Sequence, residues 1–189
     1  MTRIIDGGAV TAAYVGIGLA VVMAISFLLV IPIEPILWYL ALPGALLIGY
    51  YANQRSDSPG PWPRILANGL FAGLVTGLTL GILLLAVKAL FFAADNGYRD
   101  TSAGGSISCQ PGADCVYQRY LEDGRGTELE AQDVRDAASF AGFYWAQQLS
   151  TAGLLVGLGA AGGLGGAALY GFLGRRPTEP GAAPATRPG

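Results

Sequence analysis

The residues of this sequence best suited to covalent chemistry are two cysteines, Cys109 and Cys115, in the stretch SCQPGADC. Paired cysteines serve as a structural staple, a redox dithiol or metal ligands. A redox dithiol of the C-x-x-C type needs closer spacing. A structural zinc needs four ligands, and the chain has no histidine to complete a set. Pro111-Gly112 lies between the thiols and is a turn signal that brings the chain back on itself. The pattern predicts a disulfide that closes a small surface loop and stiffens it.

Other reactive groups are sparse. Without histidine the chain lacks the commonest metal ligand, the usual haem ligand and the commonest general base. Two cysteines cannot hold an iron–sulfur cluster in the four-cysteine mode. Glu122, Asp123, Glu128 and Glu130 lack the D-x-D-x-D-G order of a calcium loop and read as a solvated acidic surface. The same acids with Tyr117, Tyr120 or Tyr144 would be the material of a membrane enzyme, but no Glu/Asp pair stands out. The run GLGAAGGLGG has the outline of a dinucleotide fingerprint, which requires a preceding strand and an aqueous turn. Here it falls inside a long apolar stretch. No catalytic residue, cofactor or metal site is expected.

That apolar stretch is one of four. The chain is 52% hydrophobic and 13% charged, against about 25% charged in soluble domains. Residues 9–33, 36–51, 65–87 and 140–174 contain no charged side chain. About 20 apolar residues span a bilayer, so the expected spans are 9–33, 36–52, 65–92 and 140–174. The first is longer than the apolar core of a signal peptide and is read as an uncleaved helix. IPIEP, from Ile31 to Pro35, marks a tight hairpin between the first two spans, because proline disrupts helix interiors. Pro43 and Gly44 suggest a kink in the second. Residues 53–64 are rich in turn formers and read as a short loop. Residues 93–139 form a long loop, and the tail 175–189 lacks the apolar surface to fold alone and reads as disordered. The fold class is therefore all-α: an integral membrane four-helix bundle with one extracytoplasmic loop carrying a short helix and a disulfide.

The charges orient it. One side carries Arg3, Arg55, Arg64, Arg175, Arg176 and Arg187, with Asp6, Asp57 and Glu179. The loop on the other side carries acids at 95, 100, 114, 122, 123, 128, 130, 133 and 136 against arginines at 99, 119, 125 and 135. By the positive-inside rule both termini are cytoplasmic and the long loop is extracytoplasmic, in a cell (inner) membrane. That places both cysteines where disulfides persist. Lys88 falls near the outer end of the third span, where it can snorkel to the headgroups. No ionisable residue falls near the expected midplane of any span, which argues against an ion-coupled pump acting alone. A net charge of −2 gives no basic surface for nucleic acid.

Small residues dominate the spans. Gly69, Gly73, Gly77 and Gly81 form a ridge on the third, since four residues are close to one helical turn. Gly159, Gly163, Ala167 and Gly171 form a row on the fourth, and Gly153, Gly157, Ala161 and Gly165 form another. Gly8, Ala12, Gly16 and Ala20 make a weaker row on the first. Each helical glycine costs roughly 1 kcal/mol relative to alanine, and the compensation in lipid is close approach of a neighbouring backbone. The simplest arrangement packs the third span on the fourth. Two rows on the fourth imply approach from two directions. Smooth grooves of this kind would also suit lipid tails or pigment.

In the long loop, Thr127 with Glu130 fits a capping box. A polar helix is expected from about Glu128, running unbroken into the fourth span or kinked near Gly142. The topology resembles that of tetraspanins: four helices, both termini inside, a short first outer loop and a large disulfide-bearing second one. The resemblance is architectural, since the Cys-Cys-Gly motif of the tetraspanin large loop is absent here. The expected function is a non-catalytic accessory subunit of a multisubunit membrane complex. Its partners would be other membrane subunits, the lipid bilayer and a soluble extracytoplasmic protein docked on the acidic loop. The alternative is a self-assembling transporter or channel, with Ser26, Asn68, Thr76, Thr79, Ser150 and Thr151 as scattered pore-lining candidates.

Overall fold

The computed structural model describes residues 5–29, 34–56, 60–94 and 109–174, without the side chains of 27–29 and 34–39. The expected IPIEP hairpin, the first part of the long loop and the tail lie wholly or partly outside these residues. Helices α1 (Gly7–Leu29), α2 (Glu34–Gln54) and α3 (Trp62–Ala94) come first. Two short helices follow, α4 (Ala113–Glu122) and α5 (Gly126–Ala131). The last is α6 (Ala137–Leu169), which passes into a π-helical turn, Tyr170–Gly174. There is no strand among the described residues.

Three stretches are long and apolar enough to cross a membrane: Gly7–Ser26, Trp62–Ala94 and Ala137–Gly174. That is the make-up of a membrane protein. The expected second span lies in α2, whose described side chains begin only at Leu40. Its backbone is helical straight through Pro43.

The four long helices pack on one another. α3 contacts α6 most extensively, and also α1 and α2; α2 contacts both α1 and α6. The buried positions of α3 explain this. Ile65, Asn68, Gly69, Ala72, Gly73, Thr76, Gly77, Leu80, Gly81, Leu84 and Val87 recur every three or four residues on two adjoining stripes. Gly69, Gly73 and Gly77 face α6, while Thr76 faces Gly16 of α1. At one end the apolar core is mostly alanine, with Ala9, Ala12, Ala52 and Ala72 around Ile48. Larger side chains enter further along, where Ala20 meets Leu80, Leu84 and Leu155.

The long-loop side differs from the expectation in one respect. Thr127 caps nothing: α5 starts at Gly126 and has no side-chain cap. The capping box belongs to Asp136 and Ser139, which start α6. The Asp136 carboxylate accepts from the Ser139 backbone N–H at 2.7 Å, and the Ser139 hydroxyl oxygen accepts from the Asp136 backbone N–H at 3.3 Å. Hydrogen bonds from that N–H and hydroxyl hold the Asp136 carboxyl below the ordinary aspartate range. The helical run therefore breaks between α5 and α6, around Asp133 with its positive φ of 56°, and passes through Gly142 without interruption.

Candidate functional site: the glycine seam and the polar end

α3 and α6 run antiparallel and meet backbone to backbone. A Cβ added at Gly77 would lie 2.8 Å from the Leu155 carbonyl oxygen and 3.0 Å from the Val156 Cα. One at Gly73 would lie 2.9 Å from the Gly163 Cα, with the Gly159 carbonyl oxygen nearer still. Gly69 faces Gly163 and the Ala167 methyl, and Gly163 in turn faces Gly69 and Gly73. Gly81 closes the row more loosely: a Cβ there would lie 3.4 Å from the Ala152 carbonyl oxygen. Gly171 is on the same row of α6 but is covered by the Trp62 ring rather than by backbone. Separations this short are available only to residues without side chains.

α2 reaches α6 by a different route from the expected second row. Gly162 lies against Leu42 and Ala45, Gly166 lies against Leu46 and Tyr50, and Gly49 of α2 abuts Gly163. Of the row Gly153, Gly157, Ala161 and Gly165, only Gly165 meets a neighbour, the Leu46 side chain. Gly153 and Gly157 have open space where a Cβ would stand, and Ala161 is exposed. The residues Gly162 and Gly166 escaped the pattern because GLGAAGGLGG is so rich in glycine that several four-residue rows fit it equally well.

The feature that sequence reasoning missed is a polar cluster where α1 begins, α2 ends and α3 begins. Asp6 caps α1 by accepting from the Ala9 backbone N–H at 3.1 Å. Its carboxylate also accepts from the Asn68 amide at 2.9 Å and from the Ser56 hydroxyl. The Asp6 backbone N–H donates back to the Asn68 side-chain oxygen at 3.3 Å. Asn68 donates on to Asn53 at 3.4 Å, and Asn53 donates to the carbonyls of Gly49 at 3.2 Å and Ile65 at 3.0 Å. Asn53 and Asn68 are each only 1% exposed, so their polar atoms had to be paired within the protein. Partial burial alone would raise the Asp6 carboxyl, but the hydrogen bonds from Ser56, Ala9, Asn68 and Gly8 outweigh it and hold the group below the usual aspartate value. The signal was present in the sequence. An aspartate directly before a charge-free helix is a cap, and Asn53 and Asn68 are amides close to that end of α2 and α3.

The remaining candidates are engaged elsewhere. Thr76 and Thr79 donate to the carbonyls of Ala72 and Val75, one turn back, at 2.9 and 2.8 Å, and Ser26 does the same to Val22 at 2.8 Å. Ser150 is exposed and Thr151 partly so. Cys109 and Cys115 are joined in a disulfide with Cα atoms 5.0 Å apart, and Cys115 is fully buried at the start of α4. Tyr117, Tyr120 and Tyr144 belong to an aromatic cluster centred on Phe140, with ring centroids 4.9 to 5.9 Å away. Glu128 forms a two-pronged pair with Arg125, at 2.8 and 2.9 Å, and Arg125 lies over the Tyr120 ring. That pairing lowers the Glu128 carboxyl and raises the Arg125 guanidinium, so both stay charged. Glu122, Asp123 and Glu130 are exposed. No group of three or more acids or cysteines suited to a metal ion occurs among the described residues.

Comparison with family models, with curated proteins and with solved structures returned no match.

Proposed function

We propose that this chain is a non-catalytic, structural subunit of a larger membrane assembly. In this reading α2 is a fourth span beside α1, α3 and α6, both termini are cytoplasmic, and the α4–α5 side faces out. The observation that carries it is the direct backbone contact of α3 with α6. A helix pair closed at that distance has no room between its axes for a substrate path, and the hydroxyls of Thr76 and Thr79 bond to carbonyls of their own helix. This favours a rigid packing element over the transporter or channel alternative.

The lengths support the same reading. α3 and α6 have 33 residues each, or about 50 Å at 1.5 Å per residue, against a hydrocarbon layer of about 30 Å. Their surplus on the outer side carries Phe92, Phe140 and Tyr144, against which α4 with its disulfide packs. The exposed acids Glu122, Asp123, Glu130 and Asp133 make that outer unit suited to a basic patch on a soluble partner.

Purification of the full chain from its native membrane in mild detergent tests the proposal. The expected result is a particle well above the 19.5 kDa of one chain, holding a second membrane protein in fixed stoichiometry. A monodisperse monomer in every mild detergent, or ion or solute flux from vesicles containing only this chain, overturns it.

A further inference from the structure

The two sulfurs of the disulfide differ in access, and from this we propose that Cys109 is a site of covalent exchange with small thiols, while Cys115 is the leaving and resolving thiol. Exchange requires a thiolate to reach one sulfur of the bridge, and the other sulfur departs. Cys115 is 0% exposed, so no nucleophile reaches its Sγ in the folded chain. Cys109 is partly exposed and leads directly into the exposed residues Gln110 and Pro111. Gly112 follows, with open space where a Cβ would stand. The turn is held in shape, since the Gln110 backbone N–H donates to the Asp114 carboxylate at 3.0 Å and the Val116 N–H to the Gly112 carbonyl at 3.2 Å. The burial of Cys115 does not depend on the bridge alone. Val116, Tyr117 and Tyr120 of the same helix pack against the cluster of Leu129, Val134, Phe140 and Tyr144, so α4 stays seated when the bridge opens.

The chemistry follows from that asymmetry. An incoming thiolate bonds to the Cys109 Sγ. The Sγ–Sγ bond breaks, and its electron pair goes to the Cys115 Sγ, which leaves as a thiolate and takes a proton from water. The incoming sulfur is oxidised to the level of a disulfide and Cys115 is reduced to a thiol, so the step needs no other electron acceptor. Cys109 now carries the guest thiol as a mixed disulfide. α4 keeps Cys115 close by, six positions along the chain. Once deprotonated, Cys115 attacks the Cys109 Sγ in the reverse step and expels the guest. The same route installs the bridge when the guest is a small disulfide: Cys109 accepts half of it, and Cys115 then closes the ring.

The test locates the adduct. The full chain in lipid nanodiscs is incubated with excess cysteamine, quenched in acid and mapped by peptide mass spectrometry. Cysteamine is small and cationic, which suits a ring that contains Asp114 and no basic residue. The expected result is adduct on Cys109 alone, with Cys115 recovered as a free thiol. In denaturing detergent both cysteines should carry adduct. Two variants read the same asymmetry without the bridge. Cys115→Ser leaves only the Cys109 thiol, and Cys109→Ser leaves only Cys115. Treated with cystamine, the disulfide of cysteamine, Cys109 should react at least about tenfold faster than Cys115, because burial shields a thiol from exchange. The two rates should converge in denaturing detergent. Adduct on Cys115 in the folded native chain overturns the proposal. So do equal rates in the two folded variants, or no adduct on either cysteine under excess cysteamine.

Discussion

Single residues carry this structure to an unusual degree, because so many contacts run through a missing side chain. Gly73 and Gly157 are both helical glycines in apolar stretches, yet they differ completely in surroundings. Gly73→Ala drives a methyl group into the backbone of α6, so the two helices must move apart to admit it. A lower midpoint of thermal unfolding in detergent is the expected outcome. Gly157→Ala meets open space and gains helix propensity of up to about 1 kcal/mol, so its midpoint should stay level or rise. Asp6 makes a pH prediction. Its carboxyl is lowered in the folded state, so its contribution is complete above the unfolded aspartate value of about 3.9 and disappears as pH falls through the lower folded value. Unfolding midpoints measured below about pH 4 should therefore fall faster for the native chain than for Asp6→Asn, whose side chain does not titrate.

At the scale of elements, the chain separates into a bundle of long apolar helices and a unit around α4 and α5 with its own core. Leu129, Val134, Phe140 and Tyr144 are buried there against Phe92 of α3 and the tyrosines of α4. Phe140 is fully buried and touches the rings of Tyr117, Tyr120, Phe143 and Tyr144. Phe140→Ala should cost this unit about 3–5 kcal/mol, the usual loss for a buried phenylalanine. Limited proteolysis is the measurement: cleavage should appear in 109–136 while the spans remain resistant. Equal protection in both chains would show that the disulfide and the Arg125–Glu128 pair suffice to hold α4 and α5. The break between α5 and α6 belongs to the same scale. Asp136 and Ser139 form a reciprocal cap that starts a new helix, and their local bonds override the helical pattern that runs on through the sequence.

At the scale of the whole molecule, the orientation proposed from arginine placement is open to a direct check. A membrane-impermeant thiol reagent added to intact cells should label Glu130→Cys and leave Arg55→Cys unlabelled until the membrane is permeabilised; the opposite pattern would invert the topology. Much of the architecture was legible in the chain. The charge-free runs mark the apolar helices because a charge in hydrocarbon is costly. Pro111-Gly112 between two cysteines marks the staple because the turn brings the thiols together. The four-residue spacing at Gly69, Gly73 and Gly77 marks a helix face for the same reason that any helix has faces. These are local properties, set by residues close in the sequence. Which face meets which neighbour is not local. Gly159 and Gly163 lie against α3, Gly162 and Gly166 against α2, and Gly153 and Gly157 against neither, although all six are glycines in one apolar run. Asp6, Asn53, Ser56 and Asn68 likewise come together only because three helix ends converge. The sequence by itself determined where apolar helices form, since chain periodicity and solvation act over a few turns. The tertiary structure alone decided the pairing, because the approach of two backbones depends on the rotation and register of both helices at once.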